Sequence, residues 1–115
     1  MEIKRGQVLF IEWDSGLRPS VIVSNDICNK FSPVITAAPL SSKVGDNKMP
    51  IHIPISKEQY PALPIDSYVI ADLAGARDKK RIKSKEPITF LSEEDMKKVD
   101  RALGIHLGLI EPTVS

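Results

Sequence analysis

The amino-acid sequence predicts a small, mainly β protein with one C-terminal α-helix. Short β-branched runs separated by proline and glycine fill residues 1–90, and an amphipathic helical pattern follows them. Strands with such punctuation are typical of a sandwich or a barrel, whereas a parallel α/β sheet needs a helix after each strand. The 115 residues suffice for one domain, which we predict over residues 1–115.

The strand-length segments follow one another along this part of the chain. They are Gln7–Trp13, Ser20–Ser24, Val34–Leu40, Ile51–Ile55, Tyr68–Leu73 and Ile88–Phe90. Pro39 and Pro54 fall inside two of them. Because proline has no N–H to donate to a neighbouring strand, both positions are predicted to be edges or bends, for which a strongly curled barrel has room.

A helix is predicted from Glu93 to about Ile110. Ser92 is a suitable N-cap, and the acidic residues after it lie where the helix dipole favours negative charge. Apolar residues then recur at helical spacing, with basic residues on the other face, as in a helix packed on a sheet. Gly104 and Gly108 share a face, where either another backbone approaches closely or glycine is merely tolerated.

The composition excludes several classes of protein. A net charge of +1 gives no overall field that attracts nucleic acid, so any such site must be a local basic patch. The N-terminus does not resemble a signal peptide, and no apolar run approaches the ~20 residues that cross a bilayer. We therefore expect a cytoplasmic protein with no membrane contact.

Cys28 is the only cysteine of the sequence, which fits a reducing compartment. We expect its side chain to be partly buried and apolar rather than nucleophilic.

Common catalytic motifs are absent from the sequence. It contains no His-Glu-x-x-His, no Cys-x-x-Cys and no phosphate-binding glycine loop, so we expect neither a metal site nor a cofactor. The remaining candidates are Arg18, Ser41, Ser42, Lys43 and His52. They suit RNA cleavage, in which the substrate supplies its own nucleophile, the 2′-hydroxyl, and the protein orients it and stabilises the charge. Alone, these residues are too common to identify an enzyme.

The strongest charge cluster is the segment Asp78–Lys85 (DKKRIKSK). It is predicted to be either a solvated turn or a contact with an RNA backbone.

Short motifs along the chain occur in a distinctive order. Lys4-Arg5-Gly6 opens the first strand, and Leu17-Arg18-Pro19 precedes a strand that runs into Ser24-Asn25-Asp26. Further along come Asn29-Lys30-Phe31-Ser32-Pro33, Met49-Pro50-Ile51-His52-Ile53, Asp66-Ser67 and Asp78-Lys79-Lys80-Arg81-Ile82. This order resembles that of the MazF/PemK toxins of Gram-positive bacteria over almost the whole chain. The resemblance implies a small SH3-like curled barrel with short helices and a C-terminal α-helix, used as a homodimer.

The resemblance also implies a function and a set of site residues. MazF/PemK toxins cut single-stranded RNA without a metal, leaving a 2′,3′-cyclic phosphate and a 5′-hydroxyl, and an antitoxin protein lays an extended segment over the RNA groove. By resemblance, Arg18 matches the catalytic arginine, Ser41 takes the place of the catalytic threonine and His52 matches a histidine beside the groove. The residues expected to bind RNA are Trp13, Ser42, Lys43 and Lys48. For Trp13 a core position at the barrel end is the alternative.

The chain departs from this family in two places. The loop between the first two strands is cut back to Trp13–Leu17, where relatives carry a longer loop that covers the site and reads bases. Relatives also carry Glu-Gln-x-Arg where this chain has Asp72-Leu73-Ala74-Gly75. One alternative is therefore a non-catalytic relative that binds RNA or an antitoxin. A CcdB-like gyrase inhibitor is disfavoured, because such proteins carry a tryptophan near the C-terminus and the one tryptophan here is Trp13.

Overall fold

The protein is described by a computed structural model that covers residues 1–43 and 50–112. Within these residues, antiparallel strands form one sheet of seven, as the prediction of a mainly β fold requires. The strands are β1 (Gln7–Trp13), β2 (Gly16–Ile22), β3 (Val34–Ser41), β4 (His52–Ile55), β5 (Ser67–Ile70), β6 (Gly75–Asp78) and β7 (Thr89–Phe90). The helices are α1 (Asp26–Phe31) and α2 (Glu93–His106), with 3₁₀ turns at Ala71–Leu73 and Lys79–Arg81.

The strand order is β4-β5-β3-β2-β1-β7, and β6 also pairs with β3. One edge of β3 therefore serves two partners, since Val34–Ala37 pair with β6 and Leu40 and Ser41 pair with β5. Pro39 lies where the strand passes from one partner to the other, and Pro54 lies in the outermost strand, β4. Both prolines thus occupy a bend or an edge, as predicted.

The second strand begins at Gly16, before the predicted start at Ser20. Phe10 faces Pro19 across the β1–β2 pair, but its N–H points away and donates to Ser84 Oγ at 2.7 Å. The edge of Pro19 that lacks a donor therefore faces β3, which pairs with β2 only from Ser20 onward. A two-residue turn joins β1 to β2, and Gly16 continues it with a φ of +119° that other residues rarely adopt.

The C-terminal helix ends at His106 rather than near Ile110. Gly108, with a φ of +76°, turns the chain back, and Ile110 packs onto Gly104. A Cβ at Gly104 would lie 2.5 Å from Ile110 Cδ1, so any larger residue there would force the Ile110 side chain to move. The predicted strand Tyr68–Leu73 likewise ends at Ile70 and continues as the 3₁₀ turn.

Two hydrophobic cores lie on opposite faces of the sheet, because side chains alternate along each strand. Val8 and Val21 belong to the larger core, which α2 covers through Met96 and Val99. The smaller core contains Leu9, Ile11, Trp13, Ile22, Ile35 and Ala37. The candidate site described below lies at the end of this smaller core, where β1 turns into β2.

Tyr60 ties the loop after β4 to the start of α2. Its hydroxyl donates to the buried carboxylate of Asp95 at 2.5 Å. The pKa of Tyr60 is raised, mainly by burial and to a smaller extent by this hydrogen bond. Cys28 is exposed on α1, because Asn29 is the residue of that helix that turns inward. The expectation of a partly buried Cys28 is therefore wrong. No helix of the described part of the chain is long and apolar enough to span a membrane.

Candidate active site

Arg18, Ser41 and His52 line one surface hollow of about 320 Å³ together with Lys43, Ile70 and Leu73. The sheet brings them together from distant points of the sequence. Arg18 lies in β2, Ser41 ends β3, and His52 begins β4, which reaches the site because β5 lies between β3 and β4. The structure therefore assembles the three residues that were predicted to be catalytic.

Arg18 lies half-buried at the centre of the site, opposite Ile11 on the face of the smaller core. Its backbone carbonyl accepts a bond from Ser20 Oγ at 3.1 Å, which fixes the strand beneath it. Within the described residues its guanidinium has no hydrogen bond and no acidic partner. The guanidinium N–H groups thus remain available to an anionic ligand.

Ser41 and Lys43 form the rim of the hollow. The Ser41 hydroxyl oxygen accepts a bond from the Lys43 backbone N–H at 3.1 Å, so its hydroxyl hydrogen remains available to a ligand. Ser42 is exposed and lies between these two residues, but it is not part of the lining of the hollow. Lys48 lies outside the described residues.

His52 is held against Asp72, a residue that the sequence did not single out for the site. The register pairs His52 with Ile70, and the chain then turns into the 3₁₀ helix that carries Asp72. His52 Nε2 consequently lies 3.4 Å from Asp72 Oδ1, with 11% of the His52 side chain exposed. Within the described residues, His52 Nδ1 is buried without a hydrogen-bond partner. A buried polar atom of this kind is rare, because leaving it unpaired costs free energy.

A second hollow, of about 380 Å³, adjoins the first. It is lined by Trp13, Asp14, Ser15, Arg18, Pro39, Leu73 and Arg77. Arg18 and Leu73 line both hollows, so the two form one continuous groove. We call the part around Ser41 and His52 the polar half and the part around Trp13 and Arg77 the indole half.

Trp13 forms the wall of the indole half and also belongs to the smaller core. It is 9% exposed, and its indole Nε1 donates to Ser20 Oγ at 2.8 Å. The Arg77 guanidinium carbon lies 3.9 Å from the centroid of its ring. These contacts favour the core interpretation of Trp13 and place Arg77 beside it in the lining of the indole half. The sequence analysis did not identify Arg77. A signal was available, because strand alternation puts Arg77 on the same face as Gly75, the last residue of the segment that departs from the family pattern.

The basic segment Asp78–Lys85 lies beside the outer edge of β1. The Lys83 N–H donates to the Phe10 carbonyl at 2.8 Å, and Arg81 pairs with Glu12 at 2.8 Å. The segment is therefore part of the sheet edge rather than a free turn, and a contact with RNA there stays a prediction.

Away from the groove, the pKa of the Asp26 carboxyl is lowered. The chief cause is the hydrogen bond that this carboxylate accepts from the Arg5 backbone N–H at 2.7 Å.

The groove contains cationic and proton-transferring groups but not a cluster of metal ligands. Over residues 1–43 and 50–112 no three His, Cys, Asp or Glu side chains converge in a way that could hold a metal ion. Arg18, Lys43 and Arg77 bring positive charge to the groove, and Asp14 and Asp72 bring negative charge. A phosphodiester would thus meet two arginines along the groove and a histidine beside one of them.

Comparison with known proteins shows a family and a fold for this chain. Residues 4–107 match the family model of the PemK-like, MazF-like toxin of type II toxin–antitoxin system. Among solved structures, an endoribonuclease in complex with its cognate antitoxin from a mycobacterial species is 26% identical, with a TM-score of 0.79 over 96% of this chain and 99% of that chain.

Two more distant structures share the fold. The Mycobacterium tuberculosis toxin MazF-mt6 is 17% identical, with a TM-score of 0.78 over 90% of this chain and 98% of that one. The MazE–MazF structure from Deinococcus radiodurans is 19% identical, with a TM-score of 0.77 over 96% of this chain and 99% of that one. These similarities confirm the curled, mainly β fold with its C-terminal helix.

Proposed function

Since the chain belongs to the family of PemK-like, MazF-like toxins of type II toxin–antitoxin systems, we propose that it is a cytoplasmic endoribonuclease that cuts single-stranded RNA in the groove. The convergence of Arg18, Ser41 and His52 on one hollow carries this proposal. In the reaction, the 2′-hydroxyl of the RNA attacks the adjacent phosphorus and the 5′-oxygen leaves. The products are a 2′,3′-cyclic phosphate and a 5′-hydroxyl, and no metal is needed for the step.

Each of the three residues has a role that its surroundings support. The Arg18 guanidinium, which has no hydrogen-bond or acidic partner among residues 1–43 and 50–112, stabilises the charge that develops on the phosphorane. The Ser41 hydroxyl donates a hydrogen bond to a phosphoryl oxygen beside it. His52 moves protons between the reacting oxygens, because one imidazole nitrogen can accept a proton while the other donates one. Asp72 Oδ1 lies 3.4 Å from Nε2 without a hydrogen bond in the described structure, and its negative charge stabilises the ring when the ring carries a proton.

The test of this function uses long single-stranded RNA, pure protein and EDTA. We expect cuts whose 5′ ends accept phosphate from a kinase directly and whose 3′ ends carry a cyclic phosphate. Arg18→Ala, purified in the same way, is the control for contaminating nucleases. Activity that disappears in EDTA and returns with magnesium would overturn the mechanism, and RNA binding without any cutting would identify a non-catalytic relative.

We also propose that the protein is a homodimer and that a cognate antitoxin covers the groove. Leu73, which lines both halves of the groove, is 56% exposed, and the next residue, Ala74, lines a separate hollow beside Leu107, itself 66% exposed. Apolar surface thus continues from the groove to the end of α2, where a second copy would bury it. Light scattering at micromolar concentration should report a dimer. A monomer at this concentration would contradict the dimer.

Co-purified antitoxin should block cutting, and RNA cleavage at the full rate in its presence would contradict the proposed antitoxin contact.

A further inference from the structure

Arg77 is the one guanidinium of the groove that the proposed chemistry does not use. It lies in β6, and its partner residue in β3 is Ile35, a residue of the smaller core. The side chain is half-buried and its guanidinium stacks on the indole of Trp13 at 3.9 Å. Nη1 donates to the Ala76 carbonyl at 2.8 Å, and within the described residues no carboxylate pairs with it.

Gly75 provides the space in which this guanidinium lies. Because alternate residues of a strand share a face, Gly75 and Arg77 are on the same side of β6. A Cβ at Gly75 would lie 3.8 Å from Arg77 Nη1 and 4.0 Å from Trp13 Cζ3, in van der Waals contact with both, so a long side chain directed that way would compete with the guanidinium for this space. The positive charge over the Trp13 indole therefore comes from Arg77, two residues after Gly75 in β6.

We infer that Arg77 binds an RNA phosphate next to the one that is cut, and that Trp13 serves as the platform that orients it. The inference rests on the proposed function. An arginine has five N–H donors, and the bond to Ala76 uses one, so a phosphate oxygen finds several donors already in place. The stack restricts the side chain before RNA arrives, which lowers the entropy lost on binding.

In this arrangement Trp13 supports Arg77, whereas the sequence analysis expected Trp13 itself to bind RNA. With 9% of Trp13 exposed and Arg77 on its ring, little indole surface remains for a base. Asp14, the acidic residue that lines the same half, lies at the tip of the short turn. Arg77 therefore provides the positive charge of the indole half besides the shared Arg18, and the RNA strand runs from Arg77 past Leu73 to Arg18.

The test compares Arg77→Gln with Lys97→Gln. Lys97 is exposed on α2, which lines neither half of the groove, so its substitution changes net charge equally. The probe is a mixed-sequence, fully 2′-O-methylated RNA, which cannot be cut because its 2′-oxygens are blocked. For Arg77→Gln we expect affinity to fall about tenfold and the slope of log K against log salt to lose about 0.7, the value of one phosphate contact on a single strand. Lys97→Gln should change neither quantity.

Cleavage kinetics and a conservative variant complete the design. On unmodified RNA, Arg77→Gln should raise KM about tenfold and leave kcat within about twofold, because the contact is made equally in substrate and transition state. Arg77→Lys should restore the salt slope but less than the full affinity, since lysine keeps the charge without the planar stack. An unchanged affinity and slope in Arg77→Gln, or an equal loss in Lys97→Gln, would overturn the inference while the proposed function stands. Wild-type protein that neither binds nor cuts RNA would overturn both.

Discussion

The two halves of the groove share Arg18 and Leu73 but satisfy their polar groups in different ways. In the polar half, the Arg18 guanidinium and His52 Nδ1 have no partner within the described residues. In the indole half, Trp13 Nε1 bonds to Ser20, and Arg77 stacks on the ring. Polar groups left unpaired cost folding free energy. Under the proposed function, this contrast predicts that substitutions in the polar half lower the cleavage rate and that substitutions in the indole half lower RNA affinity or the stability of the fold.

Arg18→Ala tests this contrast most strongly. We expect cutting to slow by roughly 10²–10³, the usual loss when one preorganised donor to a developing charge is removed. Thermal unfolding should change little, because in the described part of the chain the guanidinium has no hydrogen bond or ion pair to lose. Arg18→Lys should restore little activity, since a point charge does not reproduce two parallel N–H bonds. A rate for Arg18→Ala within a few-fold of wild type, measured in single-turnover assays, would place the active site elsewhere.

His52→Gln should have the next largest effect. Loss of the group that moves protons typically costs about 10² or more in rate. The matched control is His106→Gln, because His106 is the other histidine of the chain and lies exposed at the end of α2, away from the groove. Equal cleavage rates for the two variants would remove His52 from the mechanism.

Ser41→Ala should slow cutting by about tenfold, which corresponds to one hydrogen bond to a charged group. Ser41→Thr keeps the hydroxyl and should stay within a few-fold of wild type in the same cleavage assay. Ser42→Ala is the neighbouring control, since Ser42 is exposed and does not line the hollow. If Ser41→Ala and Ser42→Ala behave alike, the hydroxyl at Ser41 has no chemical role.

Trp13→Phe should have the smallest effect on cutting and should act on the fold. The substitution removes the bond to Ser20, so the free energy of unfolding should fall by about 1 kcal/mol in urea denaturation followed by circular dichroism. The phenyl ring still supports Arg77, so kcat should be unchanged. A loss of kcat as large as that of Arg18→Ala would erase the distinction between the two halves.

Much of the fold could be read from local patterns. The bounds of β1 follow from the alternation of side chains, and the start of α2 follows from its cap. The places of the two prolines, at a bend and an edge, follow from the missing N–H. All three are properties of neighbouring residues. The ends of β2, β5 and α2 were not predicted. Gly16 pairs with Trp13 across a tight turn, and Ile110 packs back onto Gly104, and these contacts form only when the chain folds. Gly16 and Gly108 mark two of these ends, and each adopts a positive φ that glycine permits but does not impose.

For the groove, the sequence by itself determined which residue types were available, and the family resemblance selected Arg18, Ser41 and His52 among them. Only the tertiary structure decided that they share one hollow, because β5 must first lie between β3 and β4. It also decided that Trp13 is covered by Arg77 and that Asp72 faces His52. The physical reason is that strand pairing fixes positions to within a few ångströms between segments far apart in the chain, and composition or spacing carries no such distance.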